Sequence, residues 1–167
     1  NRFAKLVANY SRLQRLSETQ TVLFRAEGQF SRSLLASTEQ FQIGGPSNLR
    51  AFPVSEFQVD SALFASAEWT VAAPFFADTP AFNDLTWGKI LRISFFTDFV
   101  WGDLNEPSRN DIDENVDNFI LGGYGLGMHL DVPGWFNARL QAAHPFGTRH
   151  ASDGDSIQYW FDVNYTF

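Results

Sequence analysis

No cysteine stands anywhere in this chain of 167 residues, which excludes disulfide staples and thiolate metal sites. Long apolar runs are missing too: nothing approaches the roughly eighteen consecutive apolar residues that a membrane helix needs. A transmembrane β-strand stays open, because it needs only about nine to eleven residues with every second one apolar. Positive charge is scarce, with 12 Lys and Arg against 19 Asp and Glu and a formal charge of -7. Without a basic cluster, no nucleic-acid partner is expected. The three histidines, His129, His144 and His150, lie in separate segments, and no G-x-S-x-G nucleophile elbow occurs. An enzyme is therefore not expected. The chain starts at Asn1, and no signal-peptide pattern precedes its first periodic segment.

What is abundant is aromatic. Phe, Trp and Tyr make up 16% of the residues, including 18 Phe and 5 Trp, while the hydrophobic fraction of 44% suits one domain with a sizeable core. The apolar residues recur with a period of two. Arg2 to Leu16 alternates loosely, with Leu6, Ala8 and Tyr10 opposite Lys5, Asn9 and Ser11. From Thr21 to Ser31, Val22, Phe24, Ala26, Gly28 and Phe30 oppose Arg25, Glu27 and Gln29, and the short link 17–20 makes these two segments a hairpin. Ala62 to Phe75 sets Leu63, Ala65, Ala67, Trp69 and Val71 against Ser66, Glu68 and Thr70. Ile90 to Gly102 places Leu91, Ile93, Phe95, Phe99 and Trp101 on one face and Arg92, Ser94, Asp98 and Gly102 on the other. In Asn118 to Asp131, Ile120, Tyr124, Leu126 and Met128 face away from Gly123, Gly125, Gly127 and His129, glycines that leave room for something bulky on the polar side. After a tight turn at 132–134, Trp135 to Phe146 alternates again, and Ile157 to Phe167 does so with Trp160 as the one apolar residue on its polar side.

These are about seven strands, each long enough to cross a bilayer. Half of a soluble sandwich would alternate as well. Strand length decides against it, since soluble strands typically run to about five or six residues. Aromatics stand near strand ends (Trp69, Phe75, Trp87, Trp101, Trp135, Tyr165, Phe167), where a membrane girdle wants them. The links 17–20 and 132–134 are short while 32–59, 103–117 and 147–155 are long and polar, and only 76–87 breaks the alternation. The fold expected is all-β, a piece of a transmembrane β-barrel, because bacterial single-chain barrels have even strand numbers and hydrocarbon does not tolerate open sheet edges.

The stretch Glu39 to Phe52 does not read as an ordinary loop. Gly44 and Gly45 permit backbone at positive φ, Pro46 stiffens the reversal, and Arg50 sits between Leu49 and Phe52, where it needs an anionic partner if buried. Its residues alone allow two readings, a loop folded inward with Arg50 at the tip or a solvated hairpin. The acidic loop 111–117 has alternate carboxylates, but Val116 and Gly122 stand where a calcium loop has glycine and glutamate. No metal or cofactor is expected.

With these residues in view, the chain resembles the C-terminal barrel region of two-partner secretion transporters of the ShlB/FhaC type, within the outer-membrane protein 85 superfamily. Glu39 to Phe52 is similar to the family's E-x-F-x-(I/V)-G-G-x-x-x-(V/L)-R-G-(F/Y) loop. Phe95 to Gly102 is similar to its F-x-D-x-G strand motif with two extra residues before the glycine, and the ending from Trp160 to Phe167 is similar to the outer-membrane assembly signal, with Tyr165 and the terminal Phe167. The resemblance covers the whole chain, 1–167, as the C-terminal part of a barrel with a lumen loop at about 32–59. It implies residence in the bacterial outer membrane among its lipids, delivery by barrel assembly machinery, and translocation of a secreted partner polypeptide of the hemolysin-activation kind. It also implies an inward loop whose Arg50 meets Asp98, and Glu68 on the same polar face is a second candidate partner. One departure stands out: Ala51 replaces the usual glycine, and its methyl disfavours positive φ. A barrel-assembly factor of the same superfamily is the rival function.

Overall fold

The computed structural model describes residues 3–82, 84–105, 118–147 and 149–165. Nearly all regular structure is strand. In chain order these are β1 (Lys5–Arg15), β2 (Gln20–Ser31), β3 (Phe41–Ile43), β4 (Phe57–Val59), β5 (Ser61–Ala72), β6 (Leu91–Asp103), β7 (Asn118–Val132), β8 (Phe136–Gly147) and β9 (Gln158–Tyr165), with one helical turn, α1 (Trp87–Ile90), ahead of β6. Seven strands form one antiparallel sheet in the order β1-β2-β5-β6-β7-β8-β9, so every hydrogen-bonded neighbour is also the next long strand in sequence. The expected seven segments are these seven strands, displaced at their ends by a few residues. The short pair β3 and β4 forms a separate hairpin within the loop 32–60.

Period-two patterning gives the sheet two unlike faces. On one, Leu63, Trp69, Phe95, Phe99, Tyr124 and Leu126 stay exposed. Trp69 stacks on Phe95 with centroids 5.6 Å apart, and Tyr124 on Phe146 at 6.3 Å. On the other face the loop between β2 and β5 folds back against the sheet. There Phe64, Phe96, Val100, Phe119 and Leu121 of the sheet bury against Ile43, Leu49, Ala51, Phe52 and Val59 of the loop. The face that the sequence marks as polar is thus apolar over part of its length. The half of that face nearer the long loops is apolar because it is covered, while the half nearer the short turns carries Arg92, His129, Arg139 and Gln141.

The glycines of β7 are the counterpart of this packing. A Cβ at Gly123 would collide with the methyl of Ala51, and one at Gly125 with the Phe96 ring and the Ala142 carbonyl. The turn between β7 and β8 has Pro133 followed by Gly134 at φ 78°, with the Trp135 N–H donating to the Val132 carbonyl at 3.0 Å, the chemistry of a type II turn. The link 73–90, too long for the short-turn end, is a self-packed excursion. In it, Phe76 and Phe82 meet the Trp87 ring edge-on at 6.0 and 5.8 Å.

Gly125→Val is expected to destabilise by about 1–3 kcal/mol through overpacking against Phe96, read as a lower urea midpoint of the full-length protein in detergent. Leu126→Val, on the exposed face, is expected to stay within about 0.5 kcal/mol.

Candidate functional site

The site is built at the tip of the loop. Gly44 and Gly45 adopt φ of 107° and 101°, and a Cβ on Gly44 would strike the Pro53 carbonyl, so the paired glycines permit the reversal. Asn48 stitches the descending limb: its Oδ1 accepts from the N–H groups of Gly44 at 2.9 Å and Leu49 at 2.5 Å, and its Nδ2 donates to the Gln42 carbonyl at 2.8 Å. The Phe52 N–H donates to the Leu49 carbonyl at 3.2 Å, closing a turn with Arg50 and Ala51 at its apex. Leu49 and Phe52 are fully buried and press the apex onto the sheet.

Arg50 thereby lies against β5 and β6, beside Asp98. Asp98 is five positions from the β6 end at Asp103, about 17 Å along the strand. Its fork is bidentate: Nε donates to Asp98 Oδ2 at 2.8 Å and Nη2 to Asp98 Oδ1 at 2.8 Å, while the Arg50 backbone N–H adds a bond of 3.2 Å to Oδ2. Nη1 donates to Glu68 Oε2 at 2.6 Å, and Ser66 Oγ donates to Asp98 Oδ1 at 2.8 Å. Side-chain exposure is 2% for Arg50 and 0% for Asp98, whereas Glu68 retains 22% and opens on the cavity beneath the loop. The guanidinium also lies 3.4 Å from the Phe96 ring centroid, a cation–π contact on its flat face. Two carboxylates against one guanidinium leave the cluster with a net negative charge, relieved on the Glu68 side by solvent.

Gly44, Gly45, Leu49, Arg50, Phe52, Glu68 and Asp98 thus converge. Tyr165 does not: it ends β9 far from the tip, pairs in register with Phe136 and is exposed. Phe167 and the acidic loop 111–117 lie outside the described residues. Ala51 needs no glycine, because its φ is not positive and its methyl fills the space that Gly123 leaves. Three partners escaped the sequence reading. Phe96 is an apolar residue on the Arg92, Ser94 and Asp98 face of its strand, and that misfit was its only signal. Trp160, the lone apolar residue on its polar face, donates Nε1–H to the Arg50 carbonyl at 2.7 Å, and that misfit in the pattern was its signal.

The third is Asp60, fully buried at the root of the loop with no cation beside it among the described residues. Its Oδ1 accepts from the Leu35 N–H at 2.8 Å and from Gln40 Nε2 at 3.2 Å, and its Oδ2 from the Asn105 N–H at 3.0 Å. Neutral donors satisfy the charge where no guanidinium is available. Further out, Glu56 holds Ser152 through its backbone N–H and Oγ, both at 2.7 Å, tying the loop to the segment after β8. The loop is therefore fixed at tip, root and outer flank.

The family match is to the Omp85 superfamily domain, over residues 1–167. Among solved structures, BamA from Haemophilus ducreyi lacking POTRA domains 1-3 superposes with a TM-score of 0.67 at 16% identity, covering 99% of this chain and 35% of that one. CdiB from Acinetobacter baumannii superposes with a TM-score of 0.64 at 18% identity, covering 99% of this chain and 27% of that one. No protein of curated function matches the sequence. The likeness gives the fold: the sheet is part of a transmembrane β-barrel, left open here at β1 and β9. The chain spans about a third of the BamA chain and about a quarter of the CdiB chain.

Arg50→Ala leaves Asp98 buried without its cation and is expected to cost about 3–5 kcal/mol. Arg50→Lys is expected to restore only part of this, because an ammonium cannot form the fork. Loss of protection of Phe52 against chymotrypsin in the full-length protein reads both effects. Trp160→Phe removes one donor to the tip and is expected to cost about 1–3 kcal/mol in the same assay.

Proposed function

Because this chain belongs to the Omp85 superfamily of outer-membrane β-barrel proteins, we propose that the full-length protein is a pore that passes an unfolded partner polypeptide to the cell surface, in the manner of two-partner secretion. The observation that carries this reading is the seat of Arg50. A loop entering from the long-loop end lies across the concave face and ends in a buried ion pair with the wall, as a gate in a conduit does. The long loops mark that end as the outer mouth. No catalytic step is involved.

Magnitudes decide how such a gate works. Full withdrawal would expose Ile43, Leu49 and Phe52, at about 5–9 kcal/mol for three large apolar side chains, besides breaking the ion pair. It would also bare Phe64, Val100 and Leu121 on the wall. Displacement of the tip alone breaks the Arg50 contacts and lifts Leu49 and Phe52, which flank it, but spares Ile43 and the root at Asp60. The ion pair then acts as a conformational anchor that sets the resting position of the tip, and the passing chain supplies the free energy that shifts it.

The test is secretion of the partner polypeptide by full-length variants that are first shown to reach the outer membrane. Arg50→Ala and Asp98→Ala are expected to insert with a tip that no longer returns to one resting seat and so obstructs the passing chain, and to secrete at least about tenfold less, the equivalent of about 1.4 kcal/mol. Exchanging the two residues is expected to restore part of the transport, and only part, since Glu68 then meets a carboxylate at position 50. Normal secretion by every variant would remove the gate. Intact secretion together with defective insertion of other barrels would point to assembly as the role.

A further inference from the structure

Below the loop tip, toward the short turns, lies a cavity of about 310 Å³ bounded by Arg50 and Glu68 above and by Arg92, His129 and Arg139 below. The last three are strict register partners: Arg92 of β6 stands opposite His129 of β7, which stands opposite Arg139 of β8. Opposed residues on neighbouring strands have Cβ atoms about 4.5–5.5 Å apart, and basic groups so placed disfavour folding. Asp131 and Glu68 act on His129 through space, yet among the described residues no carboxylate pairs with either guanidinium of this row. Neither guanidinium makes a hydrogen bond or ion pair among the described residues, and both are exposed.

The neighbouring acids are occupied or turned elsewhere. Glu68 is taken by Arg50. Asp162 stands opposite Arg139 in register, yet its Oδ1 accepts from Asn164 Nδ2 at 2.7 Å and it forms no ion pair with the arginine. Asp131, one lumen-facing position nearer the short turns, does not bound the cavity. Directly above the row, Ser94 and Gly127 make a low shelf, with Gln141 beside them. The groups that bound the cavity are therefore net positive: Arg25, Arg92 and Arg139 stand beside a Glu68 that Arg50 already takes.

We propose that Arg92, His129 and Arg139 form a carboxylate-binding row that takes acidic side chains of an unfolded polypeptide in transit, ahead of the Arg50 gate. The inference rests on the translocator reading and names the chemistry of its cargo. Arg92 and Arg139 are two strand spacings apart, about 10 Å. Acidic residues two or three positions apart in an extended chain span about 7–10 Å, so one segment can engage both forks. The charge-assisted bonds are strong enough to hold a segment and, at an exposed site, weak enough to release it.

The experiment is fluorescence anisotropy with the full-length protein in detergent and two labelled ten-residue peptides, one of alternating Glu and Gly and one of alternating Lys and Gly. Saturable binding of the Glu peptide that weakens with added salt is expected, with none of the Lys peptide. Arg92→Gln and Arg139→Gln are each expected to weaken binding about tenfold, with partial recovery in the Arg→Lys variants. A gel-shift assay without heating verifies that each variant is folded. Absence of saturable binding to the wild type, or an unchanged affinity in the folded double variant, overturns the proposal. Because binding is read apart from secretion, its loss with the Arg50 phenotype intact removes the row alone, and the reverse outcome removes the gate alone.

Discussion

A guanidinium cannot be taken out of water unless nearly all its donors are satisfied and its charge is met, and Arg50 has both conditions fulfilled by residues from two adjacent strands. Asp98 supplies the fork, Glu68 takes the remaining nitrogen, and Phe96 lies under the plane. The arrangement constrains its surroundings in turn. Ser66 must be a small hydroxyl to hold Asp98 from the side, Gly123 must lack a side chain to admit Ala51, and Trp160 reaches from β9 to the tip carbonyl. Strands far apart in sequence are selected together by one buried charge.

That charge fixes position, while the apolar contacts supply most of the adhesion. Ile43, Leu49, Phe52 and Val59 make one core with Phe64, Val100, Phe119 and Leu121, so the loop is as much interior as the sheet is. Ion pairs and burial differ in what they specify. Burial is nearly indifferent to a small slide of the loop along the wall, whereas a bidentate fork tolerates little displacement. A loop held by both is stable in place, with the position of its tip set by one discrete polar cluster. The root at Asp60, satisfied by neutral donors, keeps the remainder attached.

The two halves of the concave face then have separate chemistries. Toward the long loops the wall is apolar and covered; toward the short turns it is polar and lined by Arg92, His129 and Arg139. On the proposed reading, a chain entering from the short-turn side would meet those three residues before Arg50 and its two carboxylates.

Alternation alone determined the seven strands and put Asp98 and Arg92 on one face of their strand and Glu68 on the polar face of its own, because a period of two leaves each residue only one of two faces. The paired glycines and the isolated Arg50 also marked the loop as unusual. The chain's local pattern held nothing, however, about which members of one face meet. Phe96 stood out only as an apolar residue on the face of Arg92, Ser94 and Asp98, and only the register of β5, β6 and β7 around the loop tip makes it the floor beneath a guanidinium. Asp60 carried no signal in its neighbours, and its burial depends on Leu35, Gln40 and Asn105 coming together around it. Ala51 looked like a flaw until Gly123 was seen opposite it. Periodicity is a property of neighbours in the chain, so the sequence reveals it. Long-range packing and charge pairing are properties of neighbours in space, and the tertiary structure alone decided those.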